Sequence, residues 1–193
     1  MFWQVLRNSC YDKESLPSLC GDITYFEFWP SWSAKGDEIS NITKVEPDVF
    51  IRFDNFDLII EAKIGEFGGQ YHAQWSNEIN SYINEYGEGR SLYFIALGGC
   101  NFAKSEYITN RSKRAIRVYK SLWSSLLREV HLAKDSIERQ SYHDGSRSQL
   151  LRILTDVVDG FAMHKIIQTL WLDSMNVMSV SSNTIKTLSD NAK

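Results

Sequence analysis

Hydrophobic and polar residues alternate in the first third of the chain in a way that predicts three strands. Residues 23–29 are rich in β-branched and aromatic side chains, and residues 45–53 and 56–63 show the same character. Asp54 and Asn55 stand between the last two segments and favour a tight turn. We therefore expect a sheet that contains a β-hairpin.

Helical periodicity is clearest in the stretch that follows the hairpin. Over residues 70–86 an apolar side chain recurs every three or four positions, which gives a helix one apolar face, and Gly87 ends the pattern. Two short apolar runs, residues 91–97 and 115–119, are typical of buried strands. Shorter helical patterns cover residues 2–14, 122–132 and 149–163.

This order of elements predicts an α/β protein with a mixed central sheet flanked by helices. A length of 193 residues suits one domain. We expect that domain to span residues 1–178, with a core at about 24–132 and a helical C-terminal part over 133–178. Residues 179–193 are rich in Ser, Asn and Thr and are predicted to form a disordered tail.

The pattern inside the hairpin places two acids opposite each other. If Asp54 and Asn55 are the two turn residues, opposed positions sum to 109, and Asp48 then lies across from Glu61. One face of the hairpin is wholly apolar and must be buried. The other face is predicted to lie outside the core, and it carries Glu46, Asp48, Phe50, Arg52, Asp57, Ile59, Glu61 and Lys63.

Opposed carboxylates are chemically informative because their Cβ atoms lie about 5 Å apart and the charges repel each other. A divalent cation would relieve the repulsion between Asp48 and Glu61, and carboxylate oxygens with water are the ligands that Mg²⁺ and Mn²⁺ prefer. A bulge at the turn would move one acid to the other face. An ordinary hairpin with a solvated outer face also fits the pattern, so both interpretations stay open.

Charge and cysteine content restrict the partners and the cellular location that we expect for this protein. The formal net charge of −3 and the pI near 5.8 exclude a chain that is basic overall, so any contact with nucleic acid has to be local. The three cysteines lack metal-binding spacing, and no segment has the apolar length of a signal peptide or a membrane span, so we expect a cytoplasmic protein. One basic segment is either a solvated edge or a phosphate-contacting patch, and its candidate nucleic-acid-binding residues are Arg111, Lys113, Arg114, Arg117 and Lys120.

Two short motifs on the hairpin resemble those of a known superfamily. Pro47-Asp48 opens one strand, and Glu61-x-Lys63 closes the next, with twelve residues between the two acids. Followed by an amphipathic helix, this arrangement is similar to the signature of the PD-(D/E)XK nucleases, which share the restriction-endonuclease-like fold. The likeness covers about residues 24–97.

The resemblance implies a metal-dependent active site. Asp48, Glu61 and the backbone carbonyl of Ala62 would hold Mg²⁺ or Mn²⁺. Lys63 would orient or activate the attacking water and help to neutralise the phosphate. These roles follow from the family and not from the spacing of the residues.

Further polar residues are candidates for the same site. The family often adds a glutamine on the helix after the motif, and Gln74 is the candidate here. An additional acid commonly completes such a site. Glu27 is favoured over Glu14 for this role, although the sequence does not decide between them. His72 is of interest because it lies close to Gln74.

The resemblance implies hydrolysis of phosphodiester bonds in DNA, by an endonuclease of a prokaryotic defence, restriction or mobile-element system. A homodimer or a larger defence complex is the expected assembly. Two alternatives remain: a catalytically silent subunit that binds nucleic acid or a protein, and a nuclease that acts on RNA or branched DNA. The site contacts phosphate and not bases, so its residues do not separate these cases.

Overall fold

The computed structural model of the protein describes residues 1–34, 44–101, 104–139 and 145–167. The helices are α1 (Phe2–Ser9), α2 (His72–Tyr86), α3 (Trp123–Glu138) and α4 (Gly145–Met163), and a short 3-10 turn covers Lys13–Ser15. The strands are β1 (Ile23–Phe28), β2 (Trp32–Ser33), β3 (Lys44–Val45), β4 (Val49–Phe53), β5 (Asp57–Ala62), β6 (Leu92–Leu97), β7 (Glu106–Thr109) and β8 (Ala115–Ser121).

Six strands form one mixed sheet in the order β1-β4-β5-β6-β8-β7. β1, β4 and β5 are antiparallel neighbours, β5, β6 and β8 run parallel, and β7 returns antiparallel to β8. β2 and β3 pair separately as a small two-stranded sheet. The predicted α/β class with a mixed central sheet and flanking helices is confirmed.

The register of the β4–β5 hairpin agrees with the one that the sequence predicts. The pairs run from Val49 opposite Ile60 to Arg52 opposite Asp57, so every pair sums to 109. The Phe53 N–H donates to the Phe56 carbonyl at 2.9 Å, which closes the turn over two residues. Continuing this register by one pair brings position 48 opposite position 61.

The middle of the polar face of the hairpin is covered, and the prediction that this face lies outside the core is wrong for Phe50, Asp57, Ile59 and Glu61, which are buried. Helix α2 covers this face with Trp75, Ile79 and Tyr82, all of which are buried. Phe50 and Ile59 of the hairpin are completely buried beneath the helix. A helix with a broad apolar face must cover apolar surface, and these hairpin residues provide it. The opposite face of the sheet packs against α1 and α3.

Asp57 shows how this covered face accommodates a charge. Its side chain is completely buried, yet it accepts hydrogen bonds from Arg52 Nη2 at 2.7 Å, Arg90 Nε at 2.9 Å and Tyr82 Oη at 2.7 Å. Burial alone would raise the pKa of Asp57, but the bonds from Arg52, Tyr82 and Arg90 outweigh it and lower the pKa. The acid is therefore held ionised as part of the core.

Several element boundaries differ from those predicted. β7 has only four residues, too few for a clear alternation, and the sequence gives no sign of it. The predicted strand over residues 45–53 is divided into β3 and β4 around Pro47, because proline cannot donate to a sheet. Residues 168–178 of the predicted helical part and the predicted tail over 179–193 lie outside the described residues.

No helix in the described ranges is long and apolar enough to cross a membrane.

We expect the Asp57→Asn substitution to lower the free energy of unfolding at pH 7 by about 2 to 3 kcal/mol, because two guanidinium groups lose their buried counter-charge. Since the pKa of Asp57 is lowered in the fold, its contribution is present above the ordinary pKa of 3.8 and is lost as the pH falls through the folded value. Urea unfolding at pH 7 and at acid pH measures both effects. The exposed Asp159→Asn is the control, and equal losses in the two variants would contradict the prediction.

Candidate active site

The polar groups predicted from the hairpin motifs lie where the parallel strands end. The carboxyl ends of β5, β6 and β8 lie side by side, and we call this end of the strands the site edge. Glu61 is the last residue but one of β5. Lys63 follows β5 directly, and its N–H donates to the Leu97 carbonyl at 2.9 Å. From there the chain crosses to the first turn of α2, which lies over the same edge.

Glu61 is the most constrained side chain of this edge, since it is only 2% exposed. Its Oε1 accepts hydrogen bonds from Lys63 Nζ at 2.5 Å and Gln74 Nε2 at 2.6 Å. Its backbone carbonyl accepts a bond from Gln70 Nε2 at 3.0 Å. The other carboxylate oxygen, Oε2, is buried without a hydrogen-bond partner. A buried polar atom in that state is uncommon and indicates a place for a ligand, water or proton.

Asp48 stands just before β4 and its carboxylate is held at the end of β5. Oδ2 of Asp48 accepts the N–H of Ala62 at 2.7 Å, while the Asp48 carbonyl accepts the N–H of Trp29 at 3.1 Å. The Asp48 side chain therefore reaches the residue next to Glu61. The two predicted acids and Lys63 come together as the register predicts.

Glu78 belongs to this group, although the sequence analysis did not identify it. It lies one helical turn after Gln74 on α2, is 1% exposed, and its carboxyl group lies close enough to that of Glu61 for the two to interact electrostatically. Burial first, and then the charge of Glu61, raise the pKa of Glu78 to about 9, and the charge of Asp48 adds to this. The raised pKa favours the protonated form of Glu78. Its spacing of four residues from Gln74, on one helix face, was the available signal.

The additional acid expected in the site is supplied by neither of the two candidates, Glu27 and Glu14. Glu27 shares the sheet face of Asp48, but it pairs with Phe50 and lies two strands, roughly 10 Å, from β5. Its carboxylate accepts the hydroxyl of Tyr25. Glu14 lies in the 3-10 turn beside Ser15, which bonds Tyr119 on the other face of the sheet. The structure brings neither acid to Glu61.

His72 belongs to a second charged cluster at the same edge of the sheet. Its Nε2 bonds Glu106, which also accepts the amine of Lys120. Lys120 is 2% exposed and its Nζ lies 5.9 Å from the centre of the Trp75 ring. Burial opposes ionisation of Glu106, but the bonds from Lys120 and His72 outweigh it and lower its pKa. Glu106 and Lys120 thus each have a partner inside the protein.

The other basic residues of the predicted patch do not share a surface with Lys120. Arg111, Lys113 and Arg114 are exposed in the turn between β7 and β8, roughly 20 Å along the strands from Ser121, which ends β8 at the site edge. Arg117 lies on the opposite face of β8 from Lys120, and its guanidinium lies 5.0 Å from the Tyr107 ring. A phosphate contact by the exposed turn stays a prediction, whereas the five residues do not form one patch.

The backbone of Lys63 is held by a close approach that only glycine permits. Gly98, with φ +66°, follows β6, and a Cβ at this position would lie 2.5 Å from the Lys63 carbonyl oxygen. The same carbonyl accepts the indole N–H of Trp123 at 2.6 Å. A larger residue at position 98 would therefore displace Lys63 or Trp123.

The chemical types present suit a hard divalent cation, but a complete ligand set is not assembled. Carboxylates of Asp48 and Glu61 are adjacent, and buried oxygens of Glu61 and Glu78 lack partners. Within the described ranges, however, no group of three or more His, Cys, Asp or Glu side chains is placed to hold a metal ion. A cation here would depend on two carboxylates, a backbone carbonyl and water.

Comparison with family models, with curated proteins and with solved structures gave no match to this chain. The interpretation of the site therefore rests on its geometry and on the motifs of the hairpin.

We expect Gly98→Ala to lower the free energy of unfolding by at least about 2 kcal/mol, because it adds both positive-φ strain and a clash with the Lys63 carbonyl. Gly68→Ala is the control, since Gly68 has φ +77° with open space around it. Urea unfolding measures both. Equal losses would show that the close approach to Lys63 contributes nothing.

We expect Glu78→Gln to stabilise the metal-free protein, increasingly so as the pH rises from 5 to 9. A raised pKa means that the folded state keeps a proton that the unfolded chain releases above about 4.5, so the wild type loses stability across this window. The glutamine does not titrate. The advantage should reach at least about 1.4 kcal/mol, the equivalent of one pKa unit. Urea unfolding in EDTA measures it, and the exposed Glu85→Gln on the same helix is the control. Parallel pH profiles for wild type and Glu78→Gln would contradict the prediction.

Proposed function

We propose that this protein is a divalent-metal-dependent nuclease that hydrolyses phosphodiester bonds in DNA, as an endonuclease of a prokaryotic defence, restriction or mobile-element system. The observation that carries the proposal is the meeting of Asp48, Glu61 and Lys63 at the open end of one hairpin. Because Glu61 also keeps a buried oxygen without a partner, the group has capacity for a ligand that the protein itself does not satisfy.

The connectivity of the sheet supports the proposal of a restriction-endonuclease-like fold. The β4–β5 hairpin carries the acids, α2 crosses over the sheet, and β6 returns parallel to β5. The resemblance in the motifs leads us to expect this order of hairpin, helix and parallel strand. In this arrangement Gln74 of α2 donates a hydrogen bond to the Glu61 carboxylate.

The residues of the site have distinct proposed roles. Asp48, Glu61 and the carbonyl of Ala62 would hold Mg²⁺ or Mn²⁺, which when bound supplies positive charge for the phosphate and a more acidic water. Lys63 is 29% exposed, so its amine is able to meet a phosphate oxygen or orient a water while it contacts Glu61. Gln74 fixes the orientation of the Glu61 carboxylate by its bond to Oε1. Helix α2 keeps bulk water from the buried side of Glu61.

A catalytically silent subunit that binds nucleic acid or a protein is the second candidate. It is favoured by the hydrogen bonds that already engage the acids, since the Ala62 N–H occupies one Asp48 oxygen and Lys63 with Gln74 occupies one Glu61 oxygen. Nucleases for RNA or branched DNA are variants of the first candidate, because the same groups contact only phosphate.

We expect Mg²⁺- or Mn²⁺-dependent cleavage of DNA that falls at least about 100-fold in Asp48→Ala, Glu61→Ala and Lys63→Ala, because each removes a group that holds the cation or meets developing charge. The assay compares linear, circular, single-stranded and branched DNA with RNA, in each metal and in EDTA. Asp135→Ala removes an exposed acid on α3 and should cleave as wild type does.

The result that would overturn the assignment is cleavage by the three variants at the parent rate. If the folded parent cuts no substrate in either metal, calorimetric titration with Mn²⁺ separates the candidates. A binding site that is lost in Asp48→Ala supports a metal centre, whereas no binding favours the silent subunit.

A further inference from the structure

β1 forms an edge of the six-stranded sheet, and its outer side is covered by no strand in the described part of the chain. Five large side chains in and beside it are each 44–66% exposed: Ile23, Tyr25, Phe26, Phe28 and Trp29. An exposed, apolar edge strand is normally avoided, because it pairs readily with another strand. We call these five residues the β1 edge surface.

The unpaired backbone groups of this strand can be assigned from the ladder with β4. The Trp29 N–H donates to Asp48, so in an antiparallel pair every second residue bonds inward, namely Trp29, Glu27 and Tyr25. Phe26 and Phe28 therefore direct their N–H and C=O groups to the open edge. These four groups are available to a further strand.

The apolar area is large enough for a stable interface. With aromatic side chains offering about 150–250 Å² each, the β1 edge surface exposes roughly 500 Å². Met1 and Phe2, each half exposed, extend it along a cavity of about 580 Å³ that Phe26 and Phe28 also line. The total, roughly 700 Å² per copy, is the most that pairing could bury, since Phe26 and Phe28 lie on one face of the sheet and Tyr25 and Trp29 on the other, and it reaches the lower part of the range of about 600–1,000 Å² per partner for stable complexes.

We propose that this protein forms a two-fold homodimer in which β1 pairs antiparallel with β1 of a second copy, centred on Phe26. This register places Tyr25 opposite Glu27 of the partner subunit, a complementary pair of the kind that already forms within one chain, where the Tyr25 hydroxyl bonds Glu27. A register centred on Glu27 would instead oppose two carboxylates. The strand is thus complementary to itself in this register.

The dimer joins two sheets into one of twelve strands. A two-fold axis perpendicular to the sheet keeps Asp48 of both copies on the same face, roughly 25 Å apart from the strand spacings. The meaning of that distance rests on the proposed function, since two sites on one face would suit cleavage of both strands of a duplex. The dimer itself does not depend on catalysis.

The test is the mass of the full chain in solution at about 5–100 µM, by light scattering after size exclusion and by sedimentation. We expect twice the 22.3 kDa chain mass for the wild type. Phe26→Lys should be monomeric, and so should Phe28→Pro, which removes an outward N–H and leaves the β1–β4 bonds intact. Ile153→Lys, a similar change at a 54% exposed position on α4, should remain dimeric. Circular dichroism verifies folding of each variant.

A monomeric wild type overturns the proposal. The β1 edge surface would then bind either residues 168–193 of the same chain or another protein. A dimer that persists in both folded β1 variants overturns it as well. The register has its own readout: in a Cys20→Ser background, Phe26→Cys should form an oxidised covalent dimer, because opposed residues have Cα atoms about 5.5 Å apart. Phe28→Cys, roughly 13 Å from its copy, should not. The reverse pattern overturns the register.

Discussion

A carboxylate that is removed from water needs hydrogen-bond donors, and the donors that Glu61 recruits determine how the chain packs around it. Lys63 and Gln74 reach the same oxygen at 2.5 and 2.6 Å, one from the end of β5 and the other from α2. Together with Gln70, which bonds the Glu61 carbonyl, they fix the first turn of α2 over the sheet. The second carboxylate oxygen stays without a partner. The helix, the lysine and the hairpin are thus held in one arrangement by a charge that would be costly to bury alone.

The two buried acids of β5 show why one is structural and the other a candidate for chemistry. Asp57 and Glu61 lie on the same face, roughly 13 Å apart along the strand. Two arginines and Tyr82 bond the oxygens of Asp57, which lowers its pKa. Glu61 faces a second buried acid, Glu78, whose pKa is raised by burial and by the Glu61 charge. An ionised acid whose oxygens all have hydrogen-bond donors is typical of a structural position. Adjacent acids that keep an oxygen without a donor are typical of sites that bind a ligand.

Much of the sheet follows from the local pattern, and less of the site does. The Asp54-Asn55 turn and the alternation around it give the correct register, so Asp48, Glu61 and Lys63 were predictable as one group. The burial of the polar hairpin face was not, because it depends on α2 folding back from residues beyond the hairpin. Glu78 was missed for the same reason, although its spacing from Gln74 was visible. The basic segment was misleading as a patch, since β8 sends Arg117 and Lys120 to opposite faces.

The order of residues by itself determined the strands, the turn and the helix period, because those depend on neighbours within a few positions. It also predicted that two acids meet across the hairpin, since a two-residue turn without a bulge leaves a single pairing. Only the tertiary structure decided which face α2 covers, which acid has its charge paired and which acid keeps an oxygen without a hydrogen-bond partner. Burial and the approach of distant donors such as Arg90 are properties of the packed chain, and the cost of removing a charge from water exists only once that packing has formed.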